Sequence, residues 1–368
     1  MTVQLGIFMM PFHHPDRDYA TILAEDQDAL VLADRLGYDE CFVGEHFSSW
    51  SERITSPLMF LAGVAAKTQR IRLGTGVINL PQLHPATVAA HAAMFDQLCG
   101  GRFIMGIGPG GLVSDIELFG IGEAELRPQM VLESIDMVLK LWAQDPPYEI
   151  KGRFWTISLK DKIWPEFKVG WVPRPLQKPH PPIALSLVTP NSSSAVTAGE
   201  RGWIPISGNF FHQRYLRGHW ERYAEGCEKA GRRPDPSIWR VARCALVTES
   251  DAEAEDYLSD PTTSLAYYYR FFRYSMSQGR QALFMIKPDL AMSDDATTVE
   301  AITRSQVIAG SPKRVLERLV ALREEIGPFG TLLATGHDWD RPAMWRRSME
   351  LLAREVMPRL SRHAAAAD

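Results

Sequence analysis

Apolar and polar positions change period repeatedly along this chain. Short apolar runs such as VQLGIFM near the start and YDECFVGE from Tyr38 give way to longer stretches in which apolar residues return every three or four positions. The first pattern predicts a strand and the second an amphipathic helix. YATILAEDQDALVLADRLG reads as a helix stopped at Gly37, and SPLMFLAGVAAKT as one opened by Ser56 and Pro57, where a capping hydroxyl and a first-turn proline are favoured. RIRLGTGVI, RFIMGIG, PPIALSLV, WIPIS, WRVARCALVT and TLLATG supply further strands. PATVAAHAAMFDQLCGG, RPQMVLESIDMVLKLWA, the segment from about Gln213 to Ala230 and RPAMWRRSMELLAREVMPRL supply further helices. About eight β/α units in succession predict a parallel (β/α)8 barrel, a TIM barrel wrapped in helices.

Two stretches break the rhythm. Residues from about 145 to 181, rich in Pro, Trp and Lys, and from about 258 to 306, with YYYRFFRYSM, are longer than plain connections. Insertions of this kind in a barrel are expected as lids at the carboxyl-terminal face of the strands; oligomer contacts or surface decoration are the other reading. No linker or low-complexity segment divides residues 1–368, so a single domain is expected.

Composition narrows the partners. The chain has 368 residues, 45% hydrophobic and 23% charged, with a net charge of −4 and the two signs interspersed. Without a basic stripe, neither nucleic acid nor an anionic membrane is expected, and a small molecule is. The start lacks a basic leader and no apolar run reaches the ~18 residues of a membrane span, so a cytoplasmic protein is the expectation. Cys41, Cys99, Cys227 and Cys244 are widely spaced with no CxxC pair, which suggests reduced packing residues and no metal knuckle.

The strand ends carry the candidate chemistry. GIGPGG, residues 106–111, has the spacing of a dinucleotide turn, but that turn needs a helix of about three turns and then an acid ~20 residues on. Only LVSDIELF follows before Gly120, and Glu133 falls inside a helix. Two readings remain: glycines for close packing, or glycines that let a flat ligand or a phosphate approach the backbone. The second strand ends in GEHF with Glu45 and His46, the third runs into GTGVINLPQLHP, and PPIALSLV is followed by TPNSSS, a run of donors at a helix start. A metal-dependent barrel hydrolase would want an HxH pair on the first strand, which FHHP does not offer.

These segments together carry a resemblance. FVGEHF, RIRLGTGVINLPQLHPATVAAHAAMFDQLCGGRFIMGIGPG, ELFGI with Arg127 following, PHPPIALSLVTPNSSSAVTAGERG and the late AGSPKRVLERL make the chain similar to the bacterial-luciferase-like flavin-dependent monooxygenases, above all to the limonene monooxygenase type. The resemblance runs from the first strand to the last helix and implies the same barrel. It implies FMN, bound in its reduced form FMNH2, beside GIGPGG rather than a nicotinamide dinucleotide. It places Gly76 and Val77 behind the isoalloxazine, where the family has a cis peptide. Asn79 would reach the ring's polar edge, or else serve as a turn residue before Pro81. Luciferases proper carry a reactive cysteine where this chain has Gly108 and a phosphate-binding arginine where it has Pro109. The phosphate is then expected on Arg127, on Asn191, Ser192 and Ser194, and on the N–H groups of Gly110 and Gly111.

The resemblance also implies an activity. Reduced FMN would react with dioxygen to a C4a-hydroperoxyflavin that passes one oxygen atom to a small apolar substrate, as an epoxide, a hydroxyl or an ester oxygen. His46 matches the family's catalytic histidine and is expected as a neutral imidazole that moves a proton, or else as a satisfied structural histidine. Glu45 would fix its tautomer, or belong to a structural pair. Phe12, His13, Phe47 and Trp50 would line the substrate pocket, or belong to the core. A separate NAD(P)H:flavin reductase and a homodimer or higher oligomer are the expected partners. A deazaflavin (coenzyme F420)-dependent dehydrogenase on the same barrel and a non-catalytic flavin-binding protein are the alternatives.

Overall fold

A computed structural model describes residues 2–278 and 282–367. Eight parallel strands recur in chain order: β1 (Gln4–Met9), β2 (Glu40–Val43), β3 (Arg72–Thr75), β4 (Phe103–Gly108), β5 (Ile183–Leu187), β6 (Ile204–Ser207), β7 (Arg240–Arg243) and β8 (Thr331–Gly336). With the helices between them they give the (β/α)8 barrel fold that the alternation predicts. The described residues group into two compact units, one of residues up to 41 together with those from 185 onward, the other of residues 42–184. Both boundaries fall inside strands, β2 and β5, rather than in linkers.

In the first unit β1 pairs with β8 from Gln4↔Thr331 to Met9↔Gly336, β8 pairs with β7, and β7 pairs with β6, all parallel. Every residue of β6, β7 and β8 is buried, which is why β6 and β8 read as largely apolar runs without alternation, while β7 buries an arginine at each end, Arg240 and Arg243. The helix Tyr19–Leu36 begins where the Asp18 carboxylate accepts the Thr21 N–H and ends at Gly37, whose φ of 86° is the left-handed value glycine tolerates.

The 258–306 insertion belongs to this unit, with residues 279–281 outside the described part. Its helix Ser264–Ser277 packs aromatic rings on residues that follow the carboxyl ends of β1, β6 and β8. Phe271 and Tyr267 lie 4.7 and 5.1 Å from the Phe12 ring, Phe272 lies 5.8 Å from Phe210, and Tyr268 stacks on His337 at 3.7 Å. It covers strand ends, as a lid does.

In the second unit β3 pairs with β4 through Leu73↔Phe103 and Gly74↔Ile104, and the short strand Ile78–Asn79 pairs with Ile107–Gly108. A side chain at Gly106 would put its Cβ 1.7 Å from the Thr75 carbonyl oxygen, while the Thr75 hydroxyl donates to the Gly106 carbonyl at 2.7 Å. This glycine serves close strand packing. The 145–181 insertion departs from the lid expectation. Its hairpin, Tyr148–Lys151 with Thr156–Leu159, hangs on Glu133, which accepts the N–H groups of Arg153, Phe154 and Trp155. Its later part runs to the amino end of β4, where the Gln177 amide bonds Asp96 and the Phe103 carbonyl. All four cysteines are buried, and none is in a disulfide among the described residues. Among the described residues no helix is long and apolar enough to cross a membrane.

Candidate active site

The chain leaves β2 at Val43 and folds into a loop closed by a bond from the His46 N–H to the Ile54 carbonyl at 3.1 Å. That closure carries Glu52 back onto the histidine, whose Nδ1 lies 2.7 Å from Glu52 Oε2. The tautomer-fixing task expected of Glu45 therefore falls to Glu52. Adjacent residues at a strand end face opposite ways, and Glu45 turns instead to Asn79. Its Oε2 accepts the Asn79 N–H at 2.8 Å, and the Asn79 side-chain amide donates to the Glu45 carbonyl at 3.1 Å. Asn79 is thereby a buried strut of the loop, its amide nitrogen already engaged.

A third carboxylate holds the loop from below. Asp115, 1% exposed, accepts the N–H groups of Phe47 and Ser48 at 2.9 and 2.8 Å and the Ser48 hydroxyl as well. Burial alone would lower the His46 pKa, but Glu52 foremost, then Asp115 and Glu45, raise it beyond the ordinary imidazole value. These carboxylates favour the imidazolium more than an ordinary imidazole would allow. With Nδ1 on Glu52, Nε2 is the nitrogen left for chemistry. Burial pushes the Glu45 carboxyl up to about 7, against the opposing bond from the Asn79 N–H.

The glycine run lies in the same unit. Gly76–Val77 is a cis peptide. Gly110 has a φ of 75°, and a Cβ there would lie 3.2 Å from Gln82 Nε2 and 3.5 Å from Asn79 Oδ1. Gly111 has nothing within 4 Å of its Cβ position, so its backbone borders open space. Arg127, first residue of the helix Arg127–Ala143 and 9% exposed, donates from Nη1 to the Gly110 carbonyl at 3.2 Å. The structure thus brings Asn79, Gly110 and Arg127 together, and Gly108 is the strand partner of Asn79.

Gln82 joins this group unannounced by the sequence. It is 9% exposed, and neither the oxygen nor the nitrogen of its amide has a hydrogen-bond partner among the described residues. Buried amides of that kind are rare and call for a ligand or a water. The group offers a cation, an unspent donor and acceptor, and glycine backbone that a flat molecule can approach. These residues fit FMN.

The remaining candidates divide. Phe47 packs edge-on to Phe119 at 4.9 Å. Trp50 is 67% exposed, with the Arg53 guanidinium 4.4 Å from its ring centre, so it is a surface residue rather than a pocket wall. In the first unit Phe12 is buried under the Ser264–Ser277 helix. His13 does not line an apolar pocket. Its Nδ1 lies 2.8 Å from Asp338 and its Nε2 3.0 Å from Asp26, while Arg17 pairs with Asp338 and Glu25. Burial would lower this histidine, yet the two carboxylates raise it to about 9. Asn191, Ser192 and Ser194 also belong to the first unit, where the helix Ser193–Arg201 starts as expected and Ser192 makes no side-chain cap.

Fold and site define an enzyme of the (β/α)8 class with its candidate chemistry in the segments that follow the strands. The chain belongs to the luciferase-like monooxygenase family, whose model matches residues 3–328. It is 32% identical to 4-hydroxyprotoasukamycin monooxygenase of Streptomyces nodosus subsp. asukaensis, over 98% of this chain and 92% of that protein. It is 28% identical to limonene 1,2-monooxygenase of Rhodococcus erythropolis, over 97% of this chain and 86% of that protein. Among solved structures it resembles the oxygenating constituent of 3,6-diketocamphane monooxygenase from Pseudomonas putida, a type II Baeyer-Villiger monooxygenase in complex with FMN. There the TM-score is 0.87 at 28% identity, covering 98% of this chain and 99% of that one.

Proposed function

We propose that this protein is the oxygenating component of a two-component flavin-dependent monooxygenase. It takes reduced FMN from a separate NAD(P)H:flavin reductase and places one atom of dioxygen in a small, largely apolar organic substrate. The observation that carries this reading is the unspent Gln82 amide beside Asn79, Gly110 and Arg127, tied to the His46 loop through the Glu45–Asn79 bonds. Arg127 and the N–H groups of Gly110 and Gly111 would hold the flavin phosphate. Gln82 would meet a polar edge of the flavin ring, and Gly76 and Val77 its face.

Reduced FMN, when bound, supplies the two electrons dioxygen needs before one oxygen atom enters the substrate and the other leaves as water. His46 delivers a proton from Nε2 to the departing oxygen, and Glu52 keeps the ring charged and oriented for that transfer. The aromatic rings around Phe12 support an apolar substrate. GIGPGG is followed by a helix of only six residues, Val113–Leu118, too short for a dinucleotide fold, which supports an external source of reduced flavin.

Anaerobic protein loaded with reduced FMN and mixed with oxygenated buffer in a stopped-flow instrument tests the reading. A transient absorbance that precedes oxidised FMN is expected. Reoxidation as fast as that of free reduced FMN, or tight binding of coenzyme F420 with no affinity for FMN, would overturn it.

A further inference from the structure

Two arginines on β7 are buried three positions apart and treated very differently. Arg240 is bound by both oxygens of Glu40, at 2.9 and 3.1 Å. Arg243, at the carboxyl end of the strand and 1% exposed, donates from Nη1 to the Phe211 carbonyl at 3.1 Å, and its Nε and Nη2 have no hydrogen-bond partner among the described residues. The Tyr269 hydroxyl, on the Ser264–Ser277 helix and also 1% exposed, has no hydrogen-bond partner among the described residues either.

Among the described residues no carboxylate is hydrogen-bonded to this guanidinium, and Glu325 acts on it only through its charge. Tyr269 is uncharged, its hydroxyl held far above the ordinary range by burial. Glu325 is exposed and bonded to Gln213. His212 and His219 are each pushed down to about 4, by burial first and by Arg243 as well, and so are neutral. A buried cation without an anion carries a heavy penalty, and a strand ending under a lid helix is where a barrel binds ligands. Arg243 itself is lowered to about 10 by burial, so it remains charged at neutral pH.

We propose that Arg243 and Tyr269 form a buried anchor for a carboxylate, so that the substrate is an apolar acid. Arg243 Nε and Nη2 and the Tyr269 hydroxyl donate to its two oxygens, and the aromatic side chains of the Ser264–Ser277 helix take the apolar remainder. That this ligand is the substrate rests on the monooxygenase reading. The binding site itself does not.

Calorimetric titration of the full-length protein, with and without FMN, tests it. The probes are hexanoate, benzoate and cyclohexanecarboxylate, each set against the corresponding alcohol. At least one acid is expected to bind, with its alcohol weaker by tenfold or more. Arg243→Met and Tyr269→Phe should each weaken the acid by roughly tenfold to a hundredfold and leave the alcohol unchanged. Arg243→Met should melt no lower than the parent, because an unpaired charge leaves the interior. Binding of none of the acids, acids bound no better than chloride, or acid binding unchanged in Tyr269→Phe would overturn the anchor. So would an Arg243→Met variant that binds the acids as the parent does, or that is destabilised through loss of the Phe211 bond. If acids bind as expected while reduced FMN reoxidises freely in the protein, the anchor stands and the flavin reading falls.

Discussion

His46 Nδ1 lies 2.7 Å from Glu52 Oε2, and the loop that joins them is closed by the bond from the His46 N–H to the Ile54 carbonyl. The pair engages Nδ1, leaves Nε2 as the nitrogen proposed to deliver the proton, and raises the imidazole pKa. Glu52→Gln keeps a hydrogen-bond acceptor but removes the charge that most raises the His46 pKa. Because the native carboxylate keeps the imidazolium populated to higher pH, the variant's yield of product per reduced flavin should start to fall at lower pH than the parent's. Coincident pH profiles would refute the pairing as a catalytic device.

His46→Gln retains a donor toward Glu52 and removes the titratable ring. Product per reduced flavin should drop ~10²–10⁴-fold, with the shortfall appearing as hydrogen peroxide. Melting temperature should change little, and a coupled assay for peroxide beside product quantification reads both arms. Full coupling in this variant would move the proton donor elsewhere.

Arg127→Ala should weaken FMN by about 1.5–3 kcal/mol, the range for hydrogen bonds to a charged group. Flavin fluorescence titration measures it directly. An unchanged dissociation constant would show that the phosphate rests on other donors.

The glycines at 106 and 111 should respond in opposite ways. Gly106→Ala drives a Cβ against the Thr75 carbonyl, an overpacking that should cost roughly 3 kcal/mol or more and lower the melting temperature sharply. Gly111→Ala enters open space, so it should fold normally and lose FMN affinity. Equal melting temperatures for the two variants would contradict the strand packing described here.

His13 makes stability depend on pH. Its folded pKa of about 9 lies above the unfolded 6.5, so the stabilisation from Asp26 and Asp338 is fully present below pH 6.5 and is lost as pH rises through 9. The gap in melting temperature between the parent and His13→Asn should be widest below pH 6.5 and shrink as pH rises toward 9. A gap independent of pH would mean that the histidine is neutral in the folded protein.

Much of this protein was legible from residue order. The strand and helix periods, the Gly37 stop and the Ser56 cap are local, since each depends on neighbours within a turn or two, and so the barrel could be counted in the sequence. The strand-end segments with His46, Asn79 and Gly110 were visible the same way, because glycines, prolines and donors at a strand end stand out in one dimension, whereas Arg127 entered only through the family resemblance. Tertiary structure decided which carboxylate serves His46, since the choice between Glu45 and Glu52 turns on which way a strand end faces and on a loop closed by one backbone bond. It separated Gly106 from Gly111, residues alike in sequence that meet a carbonyl in one case and open space in the other. It showed His13 between two acids, one of them 325 positions away, and among the described residues it left Arg243 with no acid bonded to it. Sequence records which charges a chain has, but the fold alone sets their distances and burial, and these decide which charges are paired and which remain for a ligand.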